Sequence, residues 1–136
     1  MHIDEVVNLQ QNMSTSPKFY LELLEPQIIK VCMTDGIDIE LKDAQEMILA
    51  ASELAKGKEY VTVFDASKTG TISKEARDAF AVSPKRIAAA ILTDSLANKL
   101  VGNFFIKSHK PLYPTRIFSN EKEAVKWLRT QIASKR

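Results

Sequence analysis

Along this chain the spacing of apolar residues switches between a period of two and a helical period, and the switches divide it into elements. Residues 19–24 and 27–33 are apolar, β-branched runs separated by Glu25-Pro26, which predicts a hairpin. Thr34-Asp35-Gly36 closes the second strand. Ala44, Met47, Ile48, Ala51, Leu54 and Ala55 then recur at helical spacing and predict one buried stripe. Asp43 is the expected N-cap of that helix, Glu46 completes a capping box, and Gly57 ends it. Residues 60–64 are continuously apolar and β-rich, the pattern of a strand covered on both faces.

In the second half, Thr69-Gly70-Thr71 reads as a loop, Ser73 as the cap of a short helix to about Phe80, and Ser83-Pro84 as its break. Residues 87–92 predict a second buried strand, in which Ala88-Ala89-Ala90 leaves room for close helix packing. Thr93-Asp94-Ser95 caps a third helix, with Leu96, Leu100, Val101, Phe104 and Phe105 expected on its apolar side. Pro111 and Pro114 bracket a loop, and residues 115–118 form a short strand. Asn120 with Glu123 starts a last helix whose inner face carries Ala124, Trp127, Leu128 and Gln131 or Ile132. The predicted order is β-β-α-β-α-β-α-β-α. It implies an α/β fold with a single mixed, mostly parallel sheet, packed helices and one antiparallel edge strand from the opening hairpin. Residues 1–17 are expected to be a polar N-terminal arm and residues 18–136 a single domain.

Composition narrows the function classes. The 136 residues suit one domain, and 45% hydrophobic with 26% charged residues argues against disorder. The net charge of +2 hides a split: residues 1–68 hold six Lys against twelve Asp/Glu, net −6, and residues 69–136 hold thirteen Lys/Arg against five Asp/Glu, net +8. Such a split fits a polarised surface, an anionic partner for the second half, or two halves that face each other. The total is too near neutral for a generic nucleic-acid binder. The acidic start, Met1-His2-Ile3-Asp4-Glu5, does not have the form of a secretory signal, and no apolar run approaches the ~20 residues that span a bilayer. With one unpaired cysteine, a cytoplasmic protein is expected.

Familiar catalytic patterns are missing. The four glycines are scattered rather than gathered in a phosphate loop, and His2 and His109 lack metal-ligand spacing, so neither a cofactor nor a metal is expected. Cys32 in a strand reads as a small buried hydrophobe. Asp65, at a strand end, can be a catalytic base or an anion-binding partner, and capping of the following turn is favoured over both. Gly102 inside a helix costs about 1 kcal/mol relative to Ala, which close packing of that helix explains. Phe104 and Phe105 point about 100° apart on a helix, so one can enter the core while the other lines a groove or a dimer contact. The densest basic stretch runs over residues 107–116. There Lys107, Lys110 and Arg116 can hold an anion, with Tyr113 as a hydrogen-bond donor, and the alternative is a solvated loop. One tyrosine among these cations is too few aromatic platforms for nucleic acid.

The C-terminal third carries a resemblance. Ser95-Leu96-Ala97, Gly102-Asn103-Phe104-Phe105, Lys110-Pro111, Pro114-Thr115-Arg116-Ile117-Phe118, Glu123-Ala124 and Trp127-Leu128 resemble a group of short uncharacterised bacterial proteins placed with the STAS-like, anti-sigma-factor-antagonist superfamily. The element order fits that superfamily over about residues 18–133. The missing catalytic constellation beside a two-faced Phe104/Phe105 helix points to a non-enzymatic regulatory or interaction module whose partner is a protein, with a homodimer expected. Antagonists of that superfamily carry an Asp-Ser-Ser-Gly-like phosphoacceptor motif at a helix start; here the matching start reads Ser73-Lys74-Glu75-Ala76, so the motif is absent. Ser73 remains a hydroxyl at a helix N-terminus, a regulatory candidate whose simpler role is the N-cap. The superfamily is also similar to lipid-transfer domains. That likeness implies the alternative function, a carrier or sensor of a small anionic or amphipathic ligand near the third helix and the 107–116 loop.

Overall fold

The computed structural model describes residues 13–34 and 36–135. The first twelve residues, His2 and most of the expected arm among them, lie outside the described residues, as do Asp35 and the side chains of Val101 and His109. The elements run β1 (Met13–Thr15), β2 (Phe19–Glu25), β3 (Ile28–Met33), β4 (Ile37–Ile39), α1 (Leu41–Leu54), β5 (Tyr60–Asp65), β6 (Thr69–Ile72), α2 (Lys74–Ala81), β7 (Arg86–Leu92), α3 (Leu96–His109), β8 (Thr115–Phe118) and α4 (Glu121–Ser134).

The main sheet has the order β1-β2-β3-β5-β7-β8. The pairs β3–β5, β5–β7 and β7–β8 are parallel, whereas β1–β2 and β2–β3 are antiparallel. The fold is thus mixed α/β with a mainly parallel sheet, as the helix–strand alternation implies. The antiparallel edge is one strand wider than expected, because residues 13–15 of the anticipated arm pair with residues 20–22. A second, two-stranded parallel sheet joins β4 and β6, so Thr69-Gly70-Thr71 is strand rather than loop. Both strands are too short for periodicity to register. Their contact is close: a Cβ at Gly70 would sit 2.5 Å from Asp38 Oδ1 and 3.0 Å from the carbonyl oxygens of Gly36 and Ile37. Asp38 Oδ1 accepts from the Thr71 amide at 2.8 Å.

Alternation along the strands makes two cores. Phe19, Leu21, Ile29, Val31, Met33 and Tyr60 point to one face, where they pack with the α1 stripe (Ala44, Met47, Ala51, Leu54) and Ala76 of α2. Ile28, Val61, Val63, Ala88 and Ala90 point to the other, against Ala124 and Leu128 of α4. Small Ala88 and Ala90 admit the α4 backbone, as the alanine run implied. The start of α1 differs from expectation. Glu40 is its N-cap and Asp43 its third residue, whose carboxylate accepts from the Glu40 amide at 2.9 Å and pairs with Lys18 at 3.0 Å. The helix begins three residues early because Leu41 and Lys42 continue it without strain, and Glu40–Asp43 has the same three-residue spacing that Asp43–Glu46 offered.

Candidate functional site

On the α1/α2 face the packing is incomplete where α3 covers β7 and β8, and the opening reaches β3 and β5. There a cavity of about 320 Å³ remains between the layers, with Ala89 of the sheet and Gly102 of α3 in its lining. Most of its wall is apolar: Val31, Met47, Phe64, Phe80, Ile91 and Phe105 contribute. The lining extends along β7 from Arg86 to Ile91. No Asp or Glu contributes among the described residues, yet two arginines do, Arg77 from α2 and Arg86 from the first position of β7.

Arg86 is held between rings. Its guanidinium carbon lies 5.9, 5.7 and 5.5 Å from the ring centroids of Tyr60, Phe80 and Tyr113. Its Nη1 donates to the Tyr113 hydroxyl at 3.2 Å, and that hydroxyl donates to the Phe80 carbonyl. Burial works against the charge, but the Tyr113 and Tyr60 hydroxyls offset it, and the pKa lies above the ordinary arginine value. The cation is therefore permanent. Its Nε, like Arg77 Nε and Thr69 Oγ1, is buried without a hydrogen-bond partner. Buried donors left unmade cost about 1–3 kcal/mol each, more when charged. An apolar chamber with unanswered cationic donors can hold an anion that carries apolar bulk.

The residues expected at a site separate. Phe105 lines the cavity while Phe104 faces outward at 57% exposure, the divergence that their adjacency implied. Leu96 and Leu100 are exposed at 73% and 62%, so the expected apolar side of α3 is in large part its solvent side. The inward positions are Asn98, Gly102 and Phe105; Asn98 Nδ2 donates to the Ala66 carbonyl at 3.0 Å. Tyr113 is buried in the cavity wall. Arg116 lies across the sheet from it, its guanidinium 5.3 Å from the Phe118 ring and 5.5 Å from that of Trp127. Lys107 and Lys110 are exposed. The fold therefore does not gather Lys107, Lys110, Arg116 and Tyr113 into one anion site; β8 alternation sends Thr115 to the cavity and Arg116 to the α4 side. Ser73 caps α2, its Oγ accepting from the Ala76 amide at 3.1 Å. Asp65 Oδ1 accepts from the Ser67 amide at 3.0 Å, and only its neighbours Phe64 and Ala66 reach the cavity. Cys32 is buried, which pushes its thiol pKa up.

Sequence reasoning missed Arg77 and Arg86. Arg77 was findable, since it stands next to buried Ala76 and three residues before Phe80, on the apolar side of a short helix. Arg86 sits beside Lys85 after a Ser-Pro break and looks like loop.

No helix among the described residues is long and apolar enough to cross a membrane. No curated protein matches the chain. Among solved structures, an uncharacterised protein of the DUF3478 family from Shewanella loihica PV-4, with a SpoIIAA-like fold, is similar at a TM-score of 0.57 and 14% identity, over 86% of this chain and 93% of that one. That likeness is one of fold, and it makes this fold SpoIIAA-like, within the STAS-like class. A family profile described as a domain of unknown function, DUF7793, matches residues 22–132, from β2 into α4, and the chain belongs to that family.

Proposed function

We propose that this protein is a non-enzymatic module that carries or senses a small ligand held between α3 and the sheet. The supporting observation is the cavity of about 320 Å³, apolar in most of its wall, with buried arginine donors that nothing in the described protein satisfies. That volume falls at the low end of small-molecule sites. A cytoplasmic setting fits the unpaired Cys32. Isothermal titration calorimetry with octanol and octanoate tests the reading. Saturable one-to-one binding of either probe, lost in the cavity-filling variant Ala89→Leu, is the expected result. Absence of binding by both, and by octyl phosphate, overturns it.

A second reading, a protein-interaction module that pairs with itself, draws on the exposed Leu96, Leu100 and Phe104. They recur every four residues along α3 and form one apolar ridge. Sedimentation at micromolar concentration is its test. A dimer that Phe104→Asp dissociates supports it, and a strict monomer rejects it. Phe105, which lines the cavity, is the wrong position for this substitution.

A further inference from the structure

The cavity's chemistry narrows the ligand class, given the reading of it as a binding site. Buried arginines are ordinarily paired with a carboxylate, because an uncompensated cation in apolar surroundings is costly. Here the three rings around Arg86 answer part of the charge, but ring faces accept nothing from the in-plane N–H groups. Tyr113 takes Nη1 and the Tyr60 hydroxyl also meets the guanidinium, while Nε is left unanswered. An open Nε–H on a guanidinium is a charge-assisted donor that an oxyanion can meet. Arg77 adds a second unanswered Nε to the same chamber, and Thr69 an unanswered hydroxyl. Beyond Arg86 the wall becomes apolar: Ala89 and Ile91 follow on β7, over roughly 16 Å of strand, with Phe64 and Phe105 also lining the cavity. One chamber thus presents unanswered cationic donors together with a run of apolar wall.

We infer that the ligand is an amphipathic anion, with an oxyanion head held by Arg86 and Arg77 and an apolar body lying along Ala89 and Ile91 against Phe105. The head is a carboxylate or a phosphate, since a guanidinium fork matches both. Octanoate, octyl phosphate and octanol share one tail and differ in the head, so their dissociation constants for the intact protein separate the contributions. At least one anion is expected to bind about tenfold or more tightly than octanol, and the tighter of the two identifies the head. Arg77→Met leaves the ring cage untouched, and Arg86→Lys keeps the charge but loses the fork. Each is expected to reduce the anion's advantage while leaving octanol's affinity as it was. Octanol binding as tightly as both anions overturns this inference and leaves the cavity reading standing. So does an anion preference that survives both substitutions. If none of the three probes binds, the cavity reading falls as well.

Discussion

Gly102 fixes how closely α3 approaches the sheet, and substitutions there have opposing terms that can be weighed. A Cβ at this position would lie 2.9 Å from Ile117 Cδ1 and 3.4 Å from its Cγ1, with Ile91 Cδ1 at 3.6 Å. Ordinary carbon contacts lie at about 3.5–4.0 Å, so Ile117 must yield by more than half an ångström. The conflicting atom is the free end of a flexible side chain, and turning it from its rotamer costs about 0.5–1.5 kcal/mol. Against this, replacing glycine within a helix gains about 1 kcal/mol. Gly102→Ala is therefore expected to fall within about 1 kcal/mol of wild type. Gly102→Leu has nearly the same helix propensity, but its larger side chain meets both Ile117 and Ile91, and overpacking of that kind costs about 1–3 kcal/mol. Urea unfolding followed by circular dichroism and by the fluorescence of Trp127 measures both. A Gly102→Leu midpoint equal to that of wild type would refute the argument, because α3 would then not be seated on β8 through this glycine.

Three further outcomes test other parts of the structure. Leu128→Ala, at a fully buried α4 position in one core with Ala88 and Ala90, is expected to lose about 2–5 kcal/mol, whereas Leu96→Ala on the solvent side of α3 should change stability by less than about 0.5 kcal/mol; urea titration distinguishes them. Cys32 should react with Ellman's reagent at neutral pH only as fast as the sheet opens, since burial raises its pKa, and a rate unaffected by sub-denaturing urea would contradict that. Asp43 is lowered below the carboxylate range: burial pushes it up, but the Glu40 amide and the Lys18 ammonium outweigh burial. Its stabilisation is thus complete above about pH 4 and lost as pH falls through the lower, folded-state pKa, so Asp43→Asn should cost about 1 kcal/mol at neutral pH, a difference that shrinks on acidification.

Much of the fold was legible because its core elements are long and patterned. The α1 stripe, the covered strands β5 and β7, and the Ala88–Ala90 contact with α4 all follow from one-dimensional spacing. The mini-sheet of β4 and β6 does not, because strands of three and four residues carry no measurable period, and their pairing rests on Gly70 allowing two backbones to meet. The reversed face of α3 has another cause. Apolar residues lie on more than one side of this helix, and where it packs on β8 the fold takes the small side bearing Gly102 and leaves Leu96, Leu100 and Phe104 exposed.

Charge density misdirected attention for a related reason. The basic second half is answered in part within the fold, since Arg129 Nε meets Glu25 at 3.0 Å and Lys135 reaches Glu59 at 3.9 Å, both across the −6/+8 division. Of the cations in the dense 107–116 stretch, Lys107 and Lys110 face solvent and Arg116 lies over two rings on the α4 side. The two that bear on the cavity are isolated in the sequence. Strict alternation along β7 would have set Arg86 on the same face as Ala88 and Ala90, toward α4. The register slips instead by one residue: Tyr60 pairs with Arg86, but Val61 pairs with Ala88. One extra residue in a strand exchanges its faces. That single irregularity, invisible to any count of charges, carries a permanent cation into an apolar chamber whose wall holds no acid among the described residues.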